Sequence, residues 1–426
     1  MEMVGTSTEL KQQKRTWRPW IVCFAASLLF FYEFIQGTMF ASIADQVMRD
    51  FHIAADKMVY LSSAYYLANV IFLVMAGILL DRYSAKKMLI SAMFFCVLST
   101  FVLARTDSFG VAFLCRFVIG IGSAFCFLGP IRIATRWFLP KQMAFVTGVV
   151  VTMAMSGGML AQYPLMKLVL QIGWRNALMN VSWMGVVMLI AMLRLIQDKP
   201  SHYQEPVSQK MNMWQITKQS YLNRETFLCG LYASLMNMGV AVFGAVMGQL
   251  YLVQRLGVNQ DTAAMINGML FLGAMLGGPL IGFWSDKIGR RLLPMQAGAL
   301  VSLLIALCIL YLPVTVFGMA TLFFLLGLTT SSQVISFPLV AEKSQPMLIA
   351  SSISLVSIVL QGGYIVYQNI YGFVLMQDNA VQVINGTPTY SLGAYQSATL
   401  ILPISFFIAF VALFGLKESR GFSQGK

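Results

Sequence analysis

GILLDRYSAKK (Gly77–Lys87) and GFWSDKIGRR (Gly282–Arg291) are two versions of one pattern: a glycine, an acid four residues later, then basic residues. Asp81 and Asp286 stand 205 residues apart, close to half of the 426-residue chain. Each copy separates two long apolar runs, so each reads as a short connection between hydrophobic segments. A repeat at that distance divides the chain into two units of similar length.

The runs on either side recur from end to end: 58% of the residues are apolar and 11% are charged. Such runs mark a polytopic membrane protein. Hydrocarbon offers the backbone no water, so each run must close its own hydrogen bonds, and its length suits a helix and not a barrel strand. The predicted helices are 19–44, 58–80, 87–104, 109–131, 143–168, 176–196, 226–254, 262–284, 292–312, 318–340, 348–376 and 396–416. The fold class is an all-α membrane protein, with six-helix halves at 19–196 and 226–416 joined by a polar linker at 197–225. Residues 1–18 and 417–426 form short terminal segments. The basic start precedes a span too long for a signal peptide's apolar region, so no cleaved signal is expected.

A net charge of +13 in a soluble protein would suggest nucleic acid. Here 22 of the 29 Lys and Arg fall on the side of the termini, 6 on the other side, and Arg116 within a span. The positive-inside rule then puts both termini in the cytoplasm, and the excess charge faces anionic lipid. The six cysteines lie in apolar spans without metal-ligand spacing and read as packing residues. Both histidines, His52 and His202, lie in loops, so proton coupling would have to use Glu33 or Asp45. The NGT at Asn385 is followed by Pro388 and is read as no glycosylation site.

Glu33 and Arg116 are the acid and the base set deep in the spans. An ionised side chain there costs at least ~2.5–3.5 kcal/mol and normally marks a pathway. Counted from the outer helix ends, their depths agree to roughly 6 Å, so the two can meet. Three readings remain open: a static ion pair, a site that grips an amino group with Glu33 and a carboxylate with Arg116, and a proton relay in which Glu33 titrates as Arg116 moves.

The loop pattern resembles the motif that major facilitator superfamily proteins carry after helix 2 and again after helix 8. The second copy is complete in Gly282, Asp286, Lys287, Gly289, Arg290 and Arg291. The first keeps Gly77, Asp81, Arg82, Lys86 and Lys87, with Ser84 for the glycine and Ala85 for a basic residue. RFVIGIGSA (Arg116–Ala124) resembles the family's helix 4 motif, whose arginine points at a central cavity. The antiporter pattern of helix 5 is missing, because the first proline there is Pro164, which favours uptake or facilitated exit over drug efflux. RIATRWFLPKQMAFVTG (Arg132–Gly148), LVLQIGWRNAL (Leu168–Leu178) and SSQVISFPLVAEK (Ser331–Lys343) are similar to a bacterial branch related to the lysosomal dipeptide uniporter and to amino-acid and siderophore carriers of intracellular pathogens.

The resemblance implies two six-helix halves working by alternating access, with helices 1, 4, 7 and 10 lining the cavity. The expected substrate or proton residues are Glu33, Arg116, Tyr32, Gln36, Tyr65, Asn69, Asn237, Gln249, Gln333, Gln361 and Tyr364. The loop acids and bases are expected to gate the outward and inward states. The sequence contains no GxxxxGK[ST] loop, catalytic histidine or metal cluster, which argues against a primary pump or an enzyme. The expected function is secondary or facilitative transport of an amino acid or dipeptide across a bacterial inner membrane by a monomer, without cofactor or nucleic acid. A polycarboxylate or siderophore-type anion is the alternative solute, and a non-transporting sensor the rival class.

Overall fold

The computed structural model describes residues 17–138, 143–200, 223–344, 349–377, 382–384 and 387–418. Most of the expected linker, the side chains of Asp81 and Arg82, and Asn385 lie outside the described residues.

Among the described residues ten helical stretches are long and apolar enough to cross a membrane, and the bent pair Arg224–Met236 and Val240–Leu256 makes up to an eleventh. One of the ten, Val146–Leu195, has 50 residues, or ~75 Å of helix against a hydrocarbon core of ~30 Å. It breaks at Gly173, whose φ of +78° only glycine adopts without strain. Divided there, the stretch is long enough for two spans, which is consistent with the twelve expected. A short hairpin, Gln382–Ile384 paired with Thr387–Thr389, is the one departure from all-helical structure among the described residues.

Span 1 is Arg18–Thr38 continued by Phe40–Phe51, span 2 Ala55–Arg82, span 3 Ala85–Arg105, and span 4 Phe109–Ser123 continued by Leu128–Trp137. Span 5 is Met143–Leu160 with the first part of Tyr163–Leu195, and span 6 is the remainder beyond Gly173. Span 7 runs from Arg224 to Leu256 through a π-helical turn at Val240–Met247. Spans 8 to 12 are Gln260–Ile288, Leu292–Tyr311, Val316–Lys343, Ile349–Met376 and Leu392–Gly415.

Spans 1, 4, 7 and 10 are each interrupted: at Met39, at residues 124–127, at Asn237 with the π turn, and at the 3₁₀ turn Ser331–Ile335. Irregular backbone at membrane depth survives only where protein or a cavity covers it, so these four breaks concentrate on the interior. The small residues of the helix 4 motif explain the packing around them. A β-carbon on Gly120 would collide with the Tyr65 carbonyl of span 2, and one on Gly122 with the Cys96 thiol of span 3. Span 4 is thereby drawn against its neighbours as closely as backbones allow.

The halves meet on the face opposite the chain termini, called the far face below. Gln162 Oε1 accepts from Asn267 Nδ2 at 2.8 Å and from Gln249 Nε2 at 3.2 Å, while Gln162 Nε2 donates to the Gly244 carbonyl at 3.0 Å. Gln249 Nε2 also reaches Ser42 Oγ at 2.9 Å. Ser42 in turn donates to the carbonyl of Ala161, where span 5 is broken. Gln260 Nε2 adds a bond to Asp45 Oδ2 at 3.2 Å. Deeper, the Tyr66 and Tyr364 rings meet across the halves, tilted by 32° with centroids 4.5 Å apart. The hydrogen bonds that join the halves among the described residues cluster on this far face.

Candidate functional site

Span 1 places Glu33 and Gln36 one helical turn apart, span 2 places Tyr65 and Asn69 one turn apart, and span 4 brings Arg116 in beside them. Glu33, Gln36 and Arg116 are wholly buried, and Asn69 nearly so. Arg116 Nη1 donates to the Gln36 carbonyl at 2.9 Å. Its guanidinium lies against the rings of Phe40 and Tyr65, 4.7 and 4.9 Å from their centroids, so aromatic faces take the place of an acid in holding the charge. Tyr65 OH donates to the Glu33 backbone carbonyl at 3.3 Å, and Asn69 Nδ2 to Ser123 Oγ at 2.7 Å.

Contrary to the idea of a static pair, Glu33 and Arg116 do not bond. Neither carboxylate oxygen of Glu33 makes a well-formed hydrogen bond, nor do Gln36 Oε1 and Nε2, Arg116 Nε and Nη2, or Asn69 Oδ1, although the Cys96 thiol and the Tyr65 hydroxyl lie beside the carboxylate and the Tyr32 hydroxyl beside Gln36. Buried polar atoms are otherwise almost always paired. Seven such exceptions gather in one knot of spans 1, 2 and 4.

The facing wall in the C-terminal half is neutral. Asn237, at the break of span 7, donates to Gln333 Oε1 on span 10, and Asn237 Oδ1 accepts from Tyr364 OH at 3.3 Å. Gln361 sits half-buried one turn before Tyr364, and Gln368 Nε2 holds the Ala241 carbonyl freed by the π turn at 2.9 Å. A π turn of this kind frequently marks a functional position.

One residue expected in the site sits at its edge and another lies elsewhere. Tyr32 donates to Thr100 Oγ1 of span 3 at 3.2 Å with the Gln36 side chain beside its hydroxyl. Gln249 belongs to the far-face seam described above. Ser42, Gln162 and Asn267, which complete that seam, escaped the sequence reading or its ranking; Gln162 carries one signal, standing two residues before the helix-breaking Pro164.

The second loop motif is a network within its own half. Arg291 donates to Asp286 at 2.5 Å, to Ser285 Oγ at 3.0 Å and to Glu342 at 2.8 Å, which ties span 8 to spans 9 and 10. Gly289 closes span 8 at φ +63°, and a β-carbon on Gly282 would meet nothing. Lys287 and Arg290 are exposed. In the first copy Ser84 earns its place instead of glycine by capping span 3, accepting from Lys87 N at 3.2 Å and donating to Asp198. Lys86 contributes its backbone N–H to the same carboxylate at 2.9 Å. Asp198, Glu342 and Glu418, the acids that organise these loops, were missed because each stands at a helix end far from the motif in sequence.

The sequence from residue 22 to 367 matches the Major Facilitator Superfamily. The chain belongs to the major facilitator superfamily. Among curated relatives, this facilitator is 25% identical to the probable galactarate/D-glucarate transporter GudP of Bacillus subtilis (strain 168), over 69% of its own length and 72% of GudP. It is 21% identical to the hexuronate transporter of the same organism, over 61% and 62% of the two chains. It is 22% identical to the lysosomal dipeptide transporter MFSD1 of Danio rerio, over 62% and 61%. By structure it resembles a bacterial homologue of the human lysosomal transporter Spinster in an inward-facing, occupied conformation, with a TM-score of 0.71, 14% identity, and coverage of 94% and 97%. The nucleoside transporter NupG matches with a TM-score of 0.71 at 15% identity, over 92% and 99%. These relatives and neighbours are transporters and not enzymes. The facilitator is accordingly a multi-pass membrane transporter.

Proposed function

We propose that this facilitator moves a small carboxylate-bearing solute, an amino acid or short peptide, by alternating access between its halves. The observation that carries the reading is the knot of unpaired atoms around Glu33, Gln36, Asn69 and Arg116. Arg116, pinned by one nitrogen and two aromatic faces, keeps Nε and Nη2 for a carboxylate, which a guanidinium receives through two parallel bonds. Glu33 keeps both oxygens for an ammonium group or a proton. The neutral wall of Asn237, Gln333, Gln361 and Tyr364 suits the solute's uncharged part. Entry requires Tyr66 and Tyr364 to part, since both charges are wholly covered in this state.

The cross-half hydrogen bonds on the far face, together with the positive-inside rule that puts the terminal face in the cytoplasm, support reading this state as inward-facing. The setting is a bacterial inner membrane with both termini cytoplasmic, the working unit a monomer, and Glu33 the coupling residue for protons.

The names of the relatives favour one alternative: galactarate, glucarate and hexuronate transport point to a hydroxylated carboxylate with no amine. A thermal-shift screen of the purified protein separates the two. Stabilisation by amino acids or dipeptides is expected. Stabilisation by sugar acids or polycarboxylates alone would hand the site to the alternative, with Glu33 serving protons only.

A further inference from the structure

Span 2 begins without a cap of its own. Ala54 stands at the capping position in extended backbone and offers no side-chain acceptor, although the first N–H groups of any helix need partners. The N–H of Ala55 is taken by Tyr390 OH at 3.2 Å, from 335 residues away and from the other half. Tyr390 is buried. Its hydroxyl also reaches Met376 Sδ, at the end of span 11, at 3.5 Å, and its ring meets Tyr395 of span 12 edge to face at 6.2 Å.

Tyr390 directly follows the far-face hairpin, whose second strand packs on Phe40–Phe51 of span 1. That segment carries Ser42 of the amide seam and Phe40 beneath Arg116, while span 2 carries Tyr65, Tyr66 and Asn69. One stretch of the C-terminal half thus holds the far ends of both spans that build most of the charged site.

We infer that the strand Thr387–Thr389 and Tyr390 after it strap the far face, with Tyr390 as the latch and a positioning residue for transport. They hold spans 1 and 2 against the C-terminal half while the far face is closed, and release Ala55 when that face opens. Water then satisfies both the amide and the phenol, so the latch is reversible. The inference rests on alternating access and is independent of the solute.

Hydrogen–deuterium exchange of the full chain in lipid nanodiscs, with no solute added, tests it. Tyr390→Phe should speed exchange roughly 3- to 10-fold in the first turn of span 2 and, together with it, in the seam around Gln162 and Gln249. Acceleration confined to the hairpin and Ala55, acceleration shared by all twelve spans, or no change would each overturn the latch. Ala54→Ser supplies a cap from within the same half. In the double variant Ala54→Ser/Tyr390→Phe the first turn should regain protection while the seam stays fast. Recovery of the seam along with the turn would reduce Tyr390 to a helix cap and reject its role at the gate. A screen that failed to find any carboxylate ligand would leave these outcomes untouched, so failure of the latch is distinguishable from failure of the substrate reading.

Discussion

Asp198 and Glu418 hold equivalent positions in the two halves. Each lies just past the sixth span of its half and accepts backbone N–H groups at the start of the third: Asp198 from Lys86 at 2.9 Å, Glu418 from Arg291 at 2.7 Å. An acid at a helix start satisfies free N–H groups and meets the positive end of the helix dipole. The duplication seen in the two loops therefore extends to the acids that brace them.

Removing each brace should weaken only its own half. Asp198→Ala and Glu418→Ala are each expected to cost ~0.5–2 kcal/mol of stability, with Asp198→Ala the larger because that residue also takes Ser84 and lies beside Arg136. The sites share no partner, so the double variant should be close to additive. Thermal unfolding in detergent measures this; strong non-additivity would mean that the two loops communicate.

Asp286→Asn tests the loop as a gate. In this state Asp286 is 69% exposed and bonds only to Arg291 of its own half, among the described residues. If its partner in the other half exists only when the terminal face closes, the substitution should favour the present state by ~1–2 kcal/mol. Orientation in the membrane should not change, since Lys287, Arg290 and Arg291 remain. Cysteine accessibility from each side reads the shift, and unchanged accessibility with normal transport would leave the loop with a topological role alone.

Glu33→Gln should abolish proton-driven accumulation in proteoliposomes while exchange across the membrane continues. Equal accumulation by the variant and the wild type would remove Glu33 as the coupling residue.

Arg116→Lys keeps the charge and loses the planar fork and the stacking on Phe40 and Tyr65. Carboxylate affinity should fall roughly 10-fold or more, from a cation–π contribution of ~1–2 kcal/mol at a desolvated site and the second hydrogen bond. Isothermal titration with the ligand found by thermal shift checks it; full affinity in the lysine variant would show that the site needs a point charge only.

Gln162→Leu removes the acceptor that Gln249 and Asn267 share. A buried amide donor left unpaired costs ~1–3 kcal/mol, so the closed far face should lose population. Spin-label distances across that face would lengthen, and an unchanged distribution would exclude the amide seam from gating.

The sequence by itself determined the apolar spans, the two halves and the location of charge. Hydrophobic run length and the absence of water in hydrocarbon leave a long apolar segment no alternative to helix, and an uncompensated Glu33 or Arg116 announces itself against such a background. The glycines of the helix 4 motif likewise implied close helix contact before any neighbour was known. Only the tertiary structure decided which way each polar side chain turns and what it meets. Tyr32 and Tyr65 look alike as tyrosines on apolar helices, yet one bonds to span 3 at the edge of the site and the other faces the site, because helix rotation is set by packing against neighbours and not by the residue itself. Gln249 became a seam residue and Tyr390 a partner of Ala55 through contacts spanning 207 and 335 residues, and no local pattern encodes such a pairing. The conformational state was equally beyond the sequence, since one chain must support both states and differs between them only in which contacts across the halves are made.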